Sequence, residues 1–381
     1  MSVYILALEP SGDVLGARLM QSLNATAEYK VSIFGVGGEA MGESGLDSLF
    51  DPSDLAILGI FEVIPKAGLV LRRVREVLLD IEKVQPDILV TIDSWGFTGR
   101  IHKALVKRRS LIKRVRYVAP QVWAWRPGRA KQLAAWIDHL LTLYPFEPPL
   151  FERHGLESTW VGHPVTESTF SGNAEDFRVA HALGNEIPVL TVLPGSRKSE
   201  VRALMPVFRE TIQCLIQHMP SLTVVIPTIT GVEHEVRVWS ETLPVRSIVV
   251  TGSKARDDAF AVSRAALCAS GTVTLELARA GVPHAIAYKV NPFSAFVFRC
   301  IAITRYVNLI NILLQDRHIP EFLQERCTST VLSKAILDLM NNESQRQQQR
   351  QAFASTMKKL SLMDNSPSDL AAQTILNLAS R

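Results

Sequence analysis

The sequence predicts an α/β protein made of two Rossmann-like, doubly wound domains facing each other across a cleft, with a helical C-terminus. Three observations carry this. Short apolar or β-branched runs alternate with amphipathic segments, the rhythm of βαβ units and a parallel sheet. That series is interrupted once, by a polar, less regular stretch at 173–186, and then begins afresh. At 381 residues the chain also exceeds the size at which one hydrophobic core stops growing.

In chain order, strands are expected at 3–7, 31–36, 87–92, 114–118 and 139–143, and in the second series at 189–193, 222–227, 247–251, 266–269 and 285–288. The helix after the first strand carries Leu15, Leu19 and Leu23 on one face. From about Ser329 the pattern is helical throughout, with 345–350 read as a solvated helix face. The expected domains are 1–168 and 169–345, with terminal helices over 346–381 free to pack back on the first domain.

Composition narrows the class. A hydrophobic fraction of 47% with 20% charged residues is globular, and the mean hydropathy of +0.13 leaves apolar surface available for use. Cys214, Cys268, Cys300 and Cys327 are far apart and read as small core side chains in a reducing compartment. The chain enters a strand at once, without the pattern of a signal peptide, so a cytoplasmic protein is expected. The most apolar windows, 63–79 and 292–307, are broken by Lys66, Arg72, Arg73 and Arg75 and by Arg299 and Arg305. They can lie on a bilayer but not span it, which takes about 20 apolar residues.

In open α/β sheets ligands sit beyond the carboxyl ends of the strands, where the next helix offers free N–H groups. Leu193-Pro194-Gly195-Ser196-Arg197 falls at such a point: Gly195 allows close backbone approach, Ser196 can cap the following helix, and Arg197 can fork onto a phosphate. An ordinary helix cap with a solvated arginine has the same signature. Ser270-Gly271-Thr272 repeats the device, and Glu276 follows where a carboxylate can accept hydrogen bonds from ribose hydroxyls. Together the two motifs point to nucleotide binding. No GxxxxGK[ST] motif is present, and Gly35-Val36-Gly37-Gly38 has the wrong spacing for a dinucleotide fingerprint.

In the first half, Glu9 and Ser11 follow the first strand, with Ser11 and Asp13 as candidate helix caps. Asp93 ends a later strand and is either a cap or a general base for a sugar hydroxyl. The aromatics of the loop Val122-Trp123-Ala124-Trp125-Arg126 could belong to the core, but Gln121 and Arg126 beside Trp125 suggest a sugar or phosphate contact surface. His163 reads as structural.

These stretches resemble the lipid-A-disaccharide synthase family, inverting glycosyltransferases of the GT-B fold. The match runs in order through Glu9-Pro10-Ser11-Gly12-Asp13, Leu58-Gly59-Ile60-Phe61-Glu62-Val63, Ile92-Asp93, Val118-Ala119-Pro120-Gln121-Val122-Trp123-Ala124-Trp125-Arg126, Leu143-Tyr144-Pro145-Phe146-Glu147, Val161-Gly162-His163-Pro164, Leu193-Pro194-Gly195-Ser196-Arg197 and Ala269-Ser270-Gly271-Thr272. The resemblance implies a hexosyltransferase of lipid A biosynthesis that moves 2,3-diacylglucosamine from UDP-2,3-diacylglucosamine to the 6-hydroxyl of 2,3-diacylglucosamine 1-phosphate, giving a β-1,6 disaccharide and UDP. It implies Asp93 as base; Arg197, Gly195, Ser196, Ser270, Gly271 and Thr272 on the diphosphate; Glu276 on the ribose; and Asn311 in the donor pocket, with no cofactor or metal. The first domain would then take the acceptor and face the membrane, the second the UDP-sugar. Leu8 stands where the family usually has Gly, and Gly96 where many relatives have a second acid, leaving Asp93 alone as candidate base.

The segment 61–79 mixes Ile64, Leu69, Val70 and Leu71 with Lys66, Arg72, Arg73 and Arg75, as an element lying on anionic lipid would, and so would a helix packed on the sheet. The expected location is cytoplasmic and peripheral, on the inner face of the inner membrane, with monomer and homodimer both open. Rival readings are a peptidoglycan N-acetylglucosaminyltransferase, a sugar-nucleotide epimerase, and an RNA-binding protein suggested by the basic run Lys103, Lys107, Arg108, Arg109, Lys113, Arg114 and Arg116. The net charge of only +4 and the lack of an RNA-module signature argue against nucleic acid, and that run is expected to meet lipid headgroups or solvent.

Overall fold

Runs such as Ile88-Leu89-Val90-Thr91-Ile92 and Val189-Leu190-Thr191-Val192-Leu193 are apolar on both faces and buried throughout, which only a parallel sheet covered by helices on both sides accommodates. The computed structural model describes residues 1–56, 67–167, 169–289, 303–362 and 365–380. The matching stretch Leu58 to Val63, the first part of the 61–79 segment, Cys300 and most of the 292–307 window lie outside the described residues. The chain falls into two compact units, Met1–Glu167 with Leu360–Arg381, and Ser168–Lys359.

The first unit holds β1 (Ser2–Ala7), β2 (Ser32–Val36), β3 (Ile88–Ile92), β4 (Lys113–Tyr117), β5 (His139–Thr142) and β6 (Ser158–Trp160). All pair in parallel, in the order β2-β1-β3-β4-β5-β6. The second holds β7 (Val189–Leu193), β8 (Thr223–Thr228), β9 (Arg246–Thr251), β10 (Ala265–Ala269), β11 (His284–Tyr288) and β12 (Glu321–Leu323), also parallel, in the order β12-β11-β10-β7-β8-β9. The ten expected strands are present, each within one residue of its expected ends. β6 and β12 were not expected, because three residues at a sheet edge leave no periodicity to read.

Each strand order reverses once. In the first sheet the chain leaves β1 toward β2 and returns on its other side as β3; in the second it leaves β7 toward β8 and returns as β10. The crevice outside the carboxyl ends at such a reversal is where doubly wound sheets bind ligands. It fixes where to look in each unit: beyond Ala7 and Ile92, and beyond Leu193 and Ala269.

Helices cover the sheets with their apolar faces. In Pro10–Thr26, Leu15, Leu19 and Leu23 are buried as the spacing predicts. Helix Ala67–Val84 buries Val70, Val74, Val77, Leu78 and Ile81 against Tyr4, Leu6 and Leu89, so its apolar stripe packs on the sheet. Leu71, Arg72, Arg75 and Leu79 remain exposed on the opposite side. No helix among the described residues is long and apolar enough to cross a membrane.

Two details depart from expectation at the C-terminus. Helix Glu343–Leu360 is not a uniformly solvated face over 345–350, since Arg346 and Gln349 are buried. Arg346 Nη1 donates to the carbonyls of Leu339 and Met340 at 2.7 and 2.9 Å, closing the end of the preceding helix. Gln349 accepts from the His284 N–H at 2.8 Å and donates to its carbonyl at 3.1 Å, completing the backbone pairing of β11. Residues 346–359 therefore stay with the second unit, and only 360–381 joins the first. There, Asp369 accepts from Ser22 Oγ at 2.7 Å, and Glu167 takes Arg18 at 3.1 Å and the Ser368 N–H.

Candidate functional site

In the first unit Ala7 pairs with Ile92, so the residues that follow them, Leu8-Glu9 and Asp93-Ser94, leave the sheet side by side at the strand reversal. Asp93 and Ser94 have φ of +51° and +49°, and Val118, which follows β4, has +77°. Left-handed backbone is tolerated by Asp but is an outlier for a β-branched residue, and such positions cost about 1–3 kcal/mol each unless the surroundings hold them. The holding group is Arg116, whose side chain is 1% exposed inside β4. Its Nε donates to the Val118 carbonyl at 3.0 Å, its Nη1 to Thr98 Oγ1 at 3.0 Å, and its Nη2 lies 3.7 Å from Asp93 Oδ1. Thr98 in turn donates to the carbonyls of Asp93 and Ser94, at 3.1 and 3.0 Å. Burial lowers the Arg116 pKa to about 10, with the carboxylates of Asp93 and Glu9 acting in the other direction, so the group stays charged at neutral pH.

Arg116 was expected in a solvated basic run, and the structure corrects this. Of that run, Arg114 also forks onto Asp138, at 3.0 and 2.8 Å, Arg108 pairs with Glu82, and Lys103 lies 4.6 Å from the Trp136 ring. These residues do not form one nucleic-acid-binding stripe. The sign in the sequence was an arginine between Val115 and Tyr117 in a central strand, a position normally apolar.

The expected caps are redistributed. Glu9 is the N-cap residue of Pro10–Thr26, and Ser11 is exposed within its first turn. Asp13 does not cap its own helix. It accepts from the N–H groups of Gly38, Ala40 and Met41 at 2.7, 2.9 and 3.1 Å, fixing the glycine turn after β2.

In the loop after β4, Trp123 and Trp125 are both half-buried. Trp123 Nε1 donates to Glu147 at 3.0 Å, and Glu147 also accepts from the Leu143 and Tyr144 N–H groups at 3.2 and 3.1 Å. Burial still pushes the Glu147 carboxyl up to about 7. Tyr144 stacks on Phe146 and on His163, with ring centroids 5.6 Å apart in each pair. His163 is buried, its Nδ1 accepts from the Val165 N–H at 3.1 Å, and burial lowers its pKa to about 4, which fits the structural role expected. Gln121 and Arg126 are exposed, and Trp125 is half-buried.

In the second unit, Gly195 has φ +121°, and a Cβ there would lie 2.8 Å from Glu200 Cβ, so only glycine fits. Ser196 does not cap the helix Lys198–Ile216; Arg197 holds the N-cap position without a side-chain cap. Glu200 reaches back instead, accepting from the Ser196 N–H at 3.3 Å and from Arg197 Nη1 at 2.9 Å. Arg197 is 70% exposed. Across the reversal, Ser270-Gly271-Thr272 follows β10 and leads into the helix Val273–Arg279, where Thr274 Oγ1 donates to the Gly271 carbonyl at 2.8 Å. Glu276 is bound by Arg256, whose Nη1 lies 3.2 and 3.1 Å from its two oxygens. Nothing in the local sequence signalled Arg256, which comes from the helix Ser253–Val262. Asn311 is fully buried and saturated: its amide donates to the Ile319 carbonyl and Glu321 at 2.8 and 2.9 Å, and its oxygen accepts from the His318 and Ile319 N–H groups, both at 2.9 Å. It shapes its loop, and all four of its side-chain hydrogen-bonding positions are taken within the protein. Among the described residues no three His, Cys, Asp or Glu side chains converge as metal ligands would.

The paired parallel sheets, each with motif-bearing loops at its strand reversal, are those of the GT-B class of glycosyltransferases and related nucleotide-sugar enzymes. Similar solved structures are a UDP-GlcNAc 2-epimerase from Neisseria meningitidis, with TM-score 0.68 at 10% identity over 99% of this chain and 100% of that one, and Acinetobacter baumannii MurG, with TM-score 0.57 at 14% identity over 100% and 99%. The chain belongs to the lipid-A-disaccharide synthetase family, which it matches over residues 3–375. It is 44% identical to the lipid-A-disaccharide synthase of Rhodospirillum centenum, over 100% of this chain and 95% of that protein, and 45% identical to that of Paramagnetospirillum magneticum, over 99% and 97%. Family membership favours this activity over the rival readings, and the epimerase and MurG share the fold at far lower identity.

Proposed function

We propose that this chain transfers 2,3-diacylglucosamine from its UDP derivative to the 6-hydroxyl of 2,3-diacylglucosamine 1-phosphate, with inversion, forming a β-1,6 disaccharide and UDP. The observation that carries this reading is the coincidence of sequence motif and strand reversal in both units: Asp93 beside Glu9 at one, and the Gly195–Arg197 and Ser270–Thr272 turns at the other. The epimerase relative in fold is bound to UDP-GlcNAc, which agrees with a nucleotide-sugar ligand.

In this reading the second unit holds the donor. Arg197 and the backbone N–H groups of the two turns offset charge building on the diphosphate as the glycosidic bond breaks, and Glu276, held by Arg256, accepts from the ribose hydroxyls. A phosphate that takes the Ser196 N–H displaces Glu200 from it. The first unit takes the acceptor, with Glu9, Ser11, Gln121, Trp125 and Arg126 as candidate contacts. Asp93 removes the proton from the attacking hydroxyl, and Arg116, 3.7 Å away, keeps the carboxylate aimed without itself meeting solvent. Incubating the protein with the donor and the sugar 1-phosphate, and weighing the product by mass spectrometry, tests the assignment; no disaccharide from active-folded protein removes it.

The acylated substrates also argue for peripheral binding to the inner face of the inner membrane. Leu71, Arg72, Arg75 and Leu79 lie exposed on one side of Ala67–Val84, at the spacing of a helix stripe that mixes apolar and cationic side chains. Flotation with phosphatidylglycerol liposomes is expected, and Leu71→Ser with Leu79→Ser weakens it. Equal flotation of the double variant would place the lipid contact elsewhere.

A further inference from the structure

Most of the arginines named above are matched to acids: Arg18 to Glu167, Arg108 to Glu82, Arg114 to Asp138, Arg116 to Asp93 and Arg256 to Glu276. Arg126 and Arg129 are not. Among the described residues neither guanidinium has a hydrogen bond or a carboxylate partner. What they have is aromatic surface. Arg129 Cζ lies 4.8 Å from the ring centroids of both Trp95 and Trp125, and Arg126 Cζ lies 4.6 Å from that of Trp125. The shared indole brings two like charges together, and both burial and the neighbouring Arg126 lower the Arg129 pKa.

This arrangement has a chemical meaning. Stacking on an indole occupies the flat face of a guanidinium, fixes its plane, and leaves the N–H edge directed away from the ring as a fork for an oxyanion. Two such forks with no acid between them form a pre-set, uncompensated cationic receptor. A phosphate monoester, with a charge of about −1.5 to −2 at neutral pH, matches two guanidinium groups better than a carboxylate or a phosphodiester does.

Its place is also specific. Trp95 follows Asp93-Ser94 directly, and Arg129 is close enough to Arg116 to lower that group's pKa, while Arg116 sits 3.7 Å from Asp93. The receptor therefore lies beside the proposed base, in the same unit. In a hexosamine 1-phosphate the carbons that carry the anomeric phosphate and the 6-hydroxymethyl arm flank the ring oxygen, so a receptor for the phosphate and a base for the 6-hydroxyl belong a short distance apart.

We propose that Arg126 and Arg129, held on Trp95 and Trp125, bind the 1-phosphate of the acceptor sugar and so select phosphorylated acceptors. This rests on the transfer reaction proposed above. The two arginines touch neither reacting atom and act by anchoring the substrate.

The test compares 2,3-diacylglucosamine 1-phosphate with its dephosphorylated form in the wild type, Arg126→Gln, Arg129→Gln and the double variant. The expected result is that each single change raises KM for the phosphorylated acceptor roughly 10- to 100-fold, leaves donor KM within about twofold, and costs the phosphate-free acceptor at least about tenfold less than the phosphorylated one. Discrimination between the two acceptors then disappears in the double variant. Retained discrimination there, or equal loss with both acceptors, overturns the proposal. A second arm does not depend on turnover: glucosamine 1-phosphate, but not glucosamine, should change tryptophan fluorescence of the wild type and leave that of the double variant unchanged. If the wild type forms no disaccharide but this binding difference holds, the transfer reading fails and the phosphate receptor stands; if transfer occurs without the difference, the receptor fails. Flotation with phosphatidylglycerol liposomes separates the other phosphate source. Loss of flotation in the double variant with acceptor discrimination intact would assign the arginines to lipid headgroups and refute the acceptor role.

Discussion

The carboxyl ends of the two sheets reach similar places by different means. At the first, three non-glycine residues, Asp93, Ser94 and Val118, are held left-handed by a network from buried Arg116 through Thr98. At the second, the turn is made by Gly195, which adopts φ +121° without strain, and its cation, Arg197, stands in solvent against Glu200 one turn away. The first site is built by tertiary packing and the second by a local motif. The cation in the first is part of the fold, whereas the cation in the second stands exposed and is expected to be removable with little structural cost.

The largest effect should come from Asp93→Asn, which keeps the backbone and Thr98 contacts but removes the proposed base. Turnover is expected to fall roughly 10²–10⁴-fold with UDP affinity unchanged by calorimetry. Near-normal turnover would take Asp93 out of the chemistry and leave the first site a structural feature. The comparison itself is tested by Arg116→Met against Arg197→Met. Losing the buried guanidinium should cost about 3–5 kcal/mol in urea unfolding, and losing the exposed one should stay within about 0.5 kcal/mol while raising donor KM. Equal stability losses would erase the distinction.

A smaller effect appears with pH. Burial lowers the pKa of His102 from 6.5 to about 3, and those of His163 and His284 to about 4. The unfolded chain takes up protons below 6.5 that the folded chain refuses, so stability declines as pH falls through that value, by about 2 kcal/mol per histidine at about pH 5. Two of the three lie in the first unit and one in the second. Glu147 acts oppositely: with its folded pKa raised from 4.5 to about 7, stability in that unit falls as pH rises between those values. Urea midpoints of His284→Asn and His102→Asn at pH 7 and pH 5 should each show a shallower acid decline than the wild type; unchanged slopes would show that these rings are protonated when folded. Least of all, Arg256→Gln should raise donor KM only a few-fold, since Arg256 orients Glu276 without replacing it. A fall in turnover with unchanged donor KM would argue against the ribose role.

Legibility followed the same division. The strands were readable because parallel strands covered on both faces are written as continuous apolar runs, and the motif around Gly195 because its conformational need is local. Arg116 was misread because charge is a property of a residue type, while burial is a property of its neighbours; only its place between Val115 and Tyr117 in a central strand sets it apart from Arg109 or Lys113. Asp13 was misread for a related reason: its position suits a cap for its own helix, but the amides it satisfies, at Gly38, Ala40 and Met41, come from a turn 25 or more residues away. Asn311, the candidate drawn from family resemblance, is held by four hydrogen bonds within its own loop and at β12.

By itself the sequence determined the two parallel sheets, their strands, the glycine turns and the family, because each rests on short-range periodicity, backbone permission or residue identity in order. Tertiary structure alone decided which charges are buried and which are matched. Arg116 and Arg126 are ten positions apart in one basic chain segment, yet one is sealed in the sheet against Asp93 and the other rests on an indole with no acid paired to it among the described residues. Electrostatic partnership depends on distance and dielectric in three dimensions, and neither is encoded by spacing along the chain.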